Sequence, residues 1–119
     1  VSAASRSRMA AETPALAVGA TILCPGLVLG RRDRWVVPAL SELLERVPAL
    51  WDGGQGRLSV IAVGDLARLV AHLCHTPPRA AIHHASHPEP VRTADLLACL
   101  AQHRVLPTVS GTLPWVQLP

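Results

Sequence analysis

The stretch that most constrains the fold runs from Val18 to Asp33 and reads V-G-A-T-I-L-C-P-G-L-V-L-G-R-R-D. Its first part, Val18–Cys24, is almost continuously apolar, which predicts a strand buried on both faces, as in a parallel sheet. The strand breaks at Pro25-Gly26 and resumes with Leu27-Val28-Leu29. Ligands of open α/β sheets bind beyond the carboxyl ends of the strands. The Pro-Gly break therefore predicts a place where backbone can approach a ligand closely.

Helix and strand patterns alternate along the rest of the chain. A first helix is predicted at Ser5–Glu12 and should end at Thr13-Pro14, because the residue before proline avoids helical backbone. The remaining predictions are a polar loop at Gly30–Trp35, a helix at Val37–Val47, a turn at Trp51–Gly56, a strand at Arg57–Val63, a helix at Asp65–Cys74 with Asp65 at its start, a strand at Ala80–Ala85, a helix at Thr93–His103 capped by Thr93, a short strand at Val105–Val109 and a surface tail at Leu113–Pro119. This order is typical of the α/β class.

The composition limits how a core can be built. The 119 residues suit one small domain, half of them are hydrophobic, and there is no Tyr and no Phe. Leu, Val and Ile must therefore supply the core volume, while Trp35, Trp51 and Trp115 are the only other large rings apart from histidine. The first residue is Val rather than Met, which is typical of a processed product or of a piece of a longer protein.

Charge and cysteine content indicate the environment. The net charge is +3, and every basic charge is arginine, which suits either an anionic ligand or a solvated surface. The arginines are scattered and aromatic residues are few, which disfavours a nucleic-acid partner. Cys24, Cys74 and Cys99 are odd in number and widely spaced, which favours a reducing compartment. No apolar run is long enough for a membrane span and no signal peptide is evident, so we expect a cytoplasmic protein without a membrane partner.

Three segments, in order, resemble extended short-chain dehydrogenases/reductases. T-I-L-C-P-G-L-V-L-G-R-R-D is similar to the family's LRPG-x-x-x-G-x-x-D run, with Cys24 where the family often has Arg. L-S-V-I-A-V-G-D-L-A-R-L, within Arg57–Leu69, is similar to its hVDDlAra element. A-I-H-H-A-S-H-P-E-P-V-R-T-A-D-L-L resembles the strand, loop and helix that follow in the family. The closing stretch, V-L-P-T-V-S-G-T-L-P-W-V-Q-L, is most like the thioester reductase and acyl reductase branch.

The resemblance implies a fold and a place within it. The fold is α/β, the C-terminal portion of a Rossmann-like parallel-sheet fold with the small substrate-side subdomain, and the N-terminal nucleotide-binding half is missing. Residues 1–119 then form a single partial domain. The family's Gly-rich phosphate loop links the first strand to the first helix, and no G-x-G-x-x-G occurs here. Gly53-Gly54-Gln55-Gly56 precedes a predicted strand, so it is interpreted as a loop.

The resemblance also assigns site residues. The family's catalytic Tyr-x-x-x-Lys lies on the helix before the Pro-Gly strand, and S-R-S-R-M-A-A-E aligns with it. Arg8 then stands at the lysine position and Ala4 at the tyrosine position. Alanine cannot transfer a proton, and arginine replaces a compact ammonium poorly. The backbone of Pro25, Gly26, Leu27 and Val28 is implied to lie against the nicotinamide of NADP or NAD.

The remaining histidine, cysteine and tryptophan residues give weaker indications of function. His72, His75, His83, His84 and His87 could ligate zinc, but His83 and His84 point to opposite faces of a strand, and surface histidines explain the pattern. A Cys-His nucleophile using Cys74 or Cys99 stays open as a minor alternative, while no G-x-S-x-G elbow is present. Trp35 and Trp51 either line a substrate entrance or fill core.

The sequence therefore favours a C-terminal fragment of an NAD(P)-dependent extended reductase that acts on a thioester, aldehyde or ketone. The isolated chain is expected to be inactive. The partners implied are a small-molecule or carrier-bound acyl substrate, together with the missing N-terminal half or a second copy of the chain. Two alternatives remain: a catalytically inactive remnant or interaction module of the same fold, and a sugar-nucleotide epimerase or dehydratase.

Overall fold

The computed structural model describes residues 2–114. Its helices and strands alternate, which confirms the α/β prediction. In chain order they are α1 (Ala3–Ala17), β1 (Thr21–Pro25), β2 (Leu27–Leu29), α2 (Val36–Arg46), β3 (Ala49–Trp51), a 3-10 turn (Asp52–Gly54), β4 (Arg57–Leu58), β5 (Val60–Ala62), α3 (Val63–Cys74), β6 (Ala81–Ala85), β7 (Val91–Arg92), α4 (Thr93–Gln102) and β8 (Gly111–Leu113).

The strands pair two by two, and most pairs are parallel. β1 lies parallel to β6 with Ile22 opposite Ile82, and β2 lies parallel to β5 with Val28 opposite Ile61. β3 is parallel to β8, while β4 and β7 are antiparallel. The predicted parallel arrangement is thus confirmed, and the carboxyl ends of β1 and β6 meet at one edge.

The first helix is longer than its sequence predicts. Pro14 lies inside α1, which continues to Ala17, so the expected end at Thr13-Pro14 is wrong. The turn that closes the helix is at Gly19, two residues after its last residue, and the φ of Gly19 is 80°, in the left-handed region. The Gly19 N–H donates to the Leu16 carbonyl and the Ala20 N–H to the Ala15 carbonyl, each over 3.0 Å. These two bonds form a Schellman motif.

That motif also shortens the first strand. Val18 is the C-cap of α1 and is 84% exposed, so the predicted strand Val18–Cys24 begins only at Thr21. Three residues of the apolar run are used to close the helix and turn the chain. The strand's carboxyl end at Pro25 agrees with the prediction.

The end of α4 repeats this geometry without a glycine. Arg104 has a φ of 56°, and the Val105 N–H donates to the Leu100 carbonyl over 2.9 Å. The Leu106 N–H reaches the same carbonyl at 3.4 Å. The predicted strand Val105–Val109 is therefore wrong, because its first amides close the helix. A strand forms later, at β8, beside β3, which was not predicted.

Two further boundaries differ from the sequence prediction. The expected strand Arg57–Val63 is divided into β4 and β5, because its two parts pair with different strands. Val63 already belongs to α3. Thr93 begins α4 but does not cap it, since its hydroxyl donates to the Gly56 carbonyl over 2.9 Å. The helix expected at Val37–Val47 is confirmed to within one residue at each end.

Aliphatic side chains form the core, as the composition predicts. Leu44 of α2, Leu97 of α4 and Leu106 after α4 are each 6% exposed and pack together. Half-buried residues surround them: Val37, Leu40, Leu50, Leu100 and Val109. The core thus joins α2, β3 and α4. Trp35 contributes nothing to it, being 82% exposed, and Trp115 lies outside the described residues.

Candidate functional site

The chain passes from β1 into β2 through Gly26, and hydrogen bonds hold it on both sides. The Gly26 N–H donates to the Ala85 carbonyl over 3.0 Å, at the end of β6. The next amide, that of Leu27, donates to the Ser59 carbonyl over 2.8 Å, just before β5. The predicted break at Pro25-Gly26 is therefore the point where one continuous segment changes its neighbouring strand.

Gly26 is required here by the protein's own backbone. A Cβ atom on Gly26 would lie 2.8 Å from the Ser59 carbonyl carbon and would collide with its oxygen. Real Cβ atoms do not approach backbone so closely, so any side chain would force the two segments apart. The close approach expected at this glycine is thus an approach of Ser59.

A cleft of about 420 Å³ lies between α1 and β1. Its lining comes from one face of the helix and from the carboxyl-terminal part of the strand: Arg8, Ala11, Glu12, Ala15, Ile22, Leu23, Cys24 and Pro25. We call it the α1 cleft. It brings Arg8 and Pro25, which the resemblance assigns to one site, into the same cavity. Arg8, Glu12 and Ala15 lie three or four residues apart and so share a helix face.

The other assigned residues do not all face this cavity. Val28 lines a separate cleft of about 250 Å³, together with Gly30–Trp35 and Val63. Gly26 and Leu27 line neither of these two clefts. Ala4 lies on α1 one turn before Arg8, as the aligned motif requires, but does not line the α1 cleft.

Asp33 organises the loop between β2 and α2. Its carboxylate accepts the backbone N–H groups of Trp35, Val36 and Val37 over 2.9, 3.1 and 2.7 Å. Bonds to the Trp35 and Val37 amides hold the pKa of Asp33 below its ordinary value, against a smaller opposing effect of burial. This role of Asp33 was not predicted from the sequence, although an aspartate three residues before the start of a helix was an available signal.

A third cleft, of about 460 Å³, opens where β5 meets the loop after β6. Its walls are largely apolar, with one carboxylate, one hydroxyl and one imidazole: Leu29, Val60, Ile61, Ala62, Asp65, Ser86, His87, Pro88 and Val91. We call it the His87 cleft. The His87 N–H donates to the Val60 carbonyl over 2.7 Å, which fixes this loop to β5.

The alternative sites of the sequence analysis are not assembled. Within residues 2–114, no three His, Cys, Asp or Glu side chains are close enough together to hold a metal ion. His83 and His84 are exposed on β6, and Cys74 and Cys99 are exposed on α3 and α4. Asp65 lies at the start of α3, as predicted, where it is an acidic residue of the first turn and pairs with Arg68 on the same helix. Gly53-Gly54 forms a tight turn, with φ values of 59° and 70°, as a loop requires.

Comparison with known proteins supports the fold. No family model matches the chain, and no curated protein sequence matches it. Among solved structures it is similar to RMD from Pseudomonas aeruginosa, determined as a complex with NADPH, with a TM-score of 0.64 and 17% sequence identity. The similarity covers 91% of this chain and 42% of RMD, so the chain spans less than half the length of that neighbour.

These findings define the class of fold. The chain has the Rossmann-like α/β fold, with parallel strand pairs, that is found in a protein solved with NADPH. No helix in the described part of the chain is long and apolar enough to cross a membrane.

Proposed function

We propose that the chain is the C-terminal, substrate-side portion of an NAD(P)-dependent extended reductase, a single partial domain over residues 1–119. The α1 cleft carries this proposal. Arg8 and Pro25 line this one cavity, and Pro25 is the last residue of β1, the end of a strand at which α/β sheets bind ligands. The structural likeness to an NADPH complex supports the same cofactor class.

The lining of the α1 cleft fits the nicotinamide end of the cofactor. Arg8 offers a permanent positive charge and several donors for ribose hydroxyls or a phosphate. Ile22, Leu23 and Pro25 offer an apolar wall for a planar ring. The cofactor, when bound, supplies the hydride. The substrate we propose is a thioester, aldehyde or ketone, as in the acyl reductase branch.

The aligned motif argues that this chain alone does not complete a reduction. Ala4 stands where the enzymes that the sequence resembles have a proton-donating tyrosine, and a methyl group cannot transfer a proton. A second candidate function follows from this residue: a catalytically inactive module that retains the fold. The two candidates differ in whether the α1 cleft binds the nicotinamide end at all.

Amide NMR spectra of the 119-residue chain distinguish them. We expect reduced nicotinamide mononucleotide to shift the amides of Ala11, Cys24 and Gly26 in a saturable way. Adenosine 2′,5′-bisphosphate, the other end of the cofactor, should leave these amides unchanged, because the phosphate loop is missing from this sequence. An absence of saturable shifts with the first probe would favour the inactive module.

A matched pair of variants localises the binding. Ala11→Trp fills the α1 cleft from an exposed position and should abolish the shifts. Ala10→Trp places the same ring on the same helix, at an exposed residue that does not line the cleft, and should leave them intact. If both variants lost the shifts equally, the loss would come from a disturbance of α1 itself and not from filling of the cleft.

A further inference from the structure

The His87 cleft is separate from the α1 cleft, and no residue lines both. Its volume is about 460 Å³, and it opens where β5 meets the loop after β6. Six of its nine lining residues are apolar, and Ile61 at its floor is 7% exposed. A mostly apolar concavity with a few convergent polar groups is the usual form of a small-molecule site.

The polar groups of this cleft are held in place. The His87 ring Nδ1 lies 3.2 Å from the Glu89 N–H and 3.1 Å from the Glu89 carbonyl oxygen, and its tautomer decides whether it accepts from the first or donates to the second. These contacts fix the ring and leave Nε2 as its second hydrogen-bonding atom. Ser86 precedes His87 and adds a hydroxyl that both donates and accepts. A ligand amide, which has one acceptor and one donor, can pair with either group.

The charges of the cleft select against an anion. Its lining includes the Asp65 carboxylate and no arginine. Asp65 lies in the first turn of α3 and so offsets the positive partial charge of that helix end. Arg68 forms an ion pair with Asp65 on the same helix but does not line the cleft. An anionic ligand would therefore meet the Asp65 carboxylate in the lining and no arginine to bind it.

We propose that the His87 cleft binds a small neutral amphiphile, with an aliphatic body against Ile61 and Val91 and a carbonyl or amide head beside Ser86 and His87. This site is independent of the nicotinamide proposal, because no residue lines both clefts. Amide shifts at Ile61, Ala62 and Val91 therefore report on it, whereas shifts at Ala11 and Cys24 report on the α1 cleft.

Two probes of equal chain length test the ligand class by amide NMR of the whole chain. N-methylhexanamide should shift the amides of Ile61, Ala62 and Val91 in a saturable way. Sodium hexanoate should bind about three- to fivefold more weakly, because its carboxylate faces Asp65 across solvent. Equal or tighter binding of hexanoate, or no saturable shift with the amide, would overturn the proposal.

Variants test the location. Ala62→Phe fills the cleft from an exposed position and should weaken binding of the amide at least about tenfold, whereas Ala67→Phe, exposed on α3 outside the cleft, should not. His87→Phe keeps a ring but removes both ring nitrogens and should weaken binding about three- to tenfold. This variant keeps the test valid if Ala62→Phe fails to fold. Unchanged affinity in His87→Phe would remove the head-group contact from the proposal.

Discussion

Arg104 has at the end of α4 the same left-handed backbone that Gly19 has at the end of α1, with φ values of 56° and 80°. Both residues occupy the C′ position of a Schellman motif. Only glycine adopts this conformation without a steric cost, so α1 and α4 end with the same geometry but with different strain.

Arg104→Gly should therefore stabilise the protein by about 0.5–1 kcal/mol. The substitution removes the steric cost of a Cβ atom in left-handed backbone, and the greater conformational freedom of glycine in the unfolded chain offsets part of that gain. Gly19→Ala should destabilise it by about 1 kcal/mol for the same reason. The free energy of unfolding in urea measures both. Arg104→Ala is the control, since it removes the side chain but keeps the Cβ, and a gain as large as that of Arg104→Gly would contradict this explanation.

Removal of the Asp33 carboxylate should loosen the start of α2. Asp33→Ala leaves three backbone N–H groups without their acceptor, and loss of such a cap costs about 1–2 kcal/mol. Asp33→Asn keeps one acceptor oxygen and should cost less. Chemical denaturation at neutral pH compares them, and an Asp33→Ala protein as stable as the wild type would refute the capping role.

The Asp33 carboxylate should also make the stability of the protein depend on pH. Because its hydrogen bonds lower the pKa of Asp33 in the folded state, its contribution is fully present above the unfolded-state pKa. The contribution is lost as the pH falls through the lowered folded-state value. The stability difference between wild type and Asp33→Asn should therefore shrink in acid. A difference that stays constant from neutral pH to strong acid would exclude this linkage.

Gly26→Ala should be strongly destabilising, because the new Cβ meets the Ser59 backbone, which cannot rotate away. Overpacking of this kind costs about 1–3 kcal/mol. Gly64→Ala is the matched control. The nearest atom to its Cβ is the mobile end of Arg68 at 3.9 Å, and alanine in the first turn of α3 should be neutral or stabilising by up to about 1 kcal/mol. Thermal unfolding of both variants measures the contrast.

We expect the chain to associate with itself. Within residues 2–114, β1 and β6 form a two-stranded sheet without a third strand, and Ile82 on this sheet is 43% exposed. Uncovered apolar sheet surface and open edges favour pairing with another chain. Sedimentation velocity should show larger species at higher protein concentration, and Ile82→Glu should reduce them.

Val18→Glu controls for added charge. Val18 is 84% exposed at the end of α1 and belongs to neither strand of this sheet. It should leave the association unchanged. A single monomeric species at all concentrations would show that the sheet surface of the wild type is not adhesive.

Several elements could be predicted from local sequence. The spacing of Leu40, Leu43, Leu44 and Val47 indicated α2, and the apolar run before Pro25 indicated β1. The aliphatic core followed from a composition without Phe and Tyr. Arg8 and Pro25 were paired through a family resemblance rather than through geometry, and the structure places both in one cleft.

The positions that were missed depend on contacts between distant residues. The predicted strand Arg57–Val63 is divided in two because its first part pairs with β7 and its second part with β2, and nothing near Ser59 in the sequence indicates this change of partner. The His87 cleft is formed by three segments that converge only in the folded chain.

The sequence alone determined the α/β class, the order of α1 to α4 and the place where the first strand breaks, because these follow from local periodicity and from proline and glycine. Only the tertiary structure decided where α1 and α4 end, which strands pair and what faces each cleft. Strand pairing and cleft lining depend on contacts between residues far apart in the chain. The end of α4 depends on the left-handed backbone of Arg104, which goes against the local preference of an arginine.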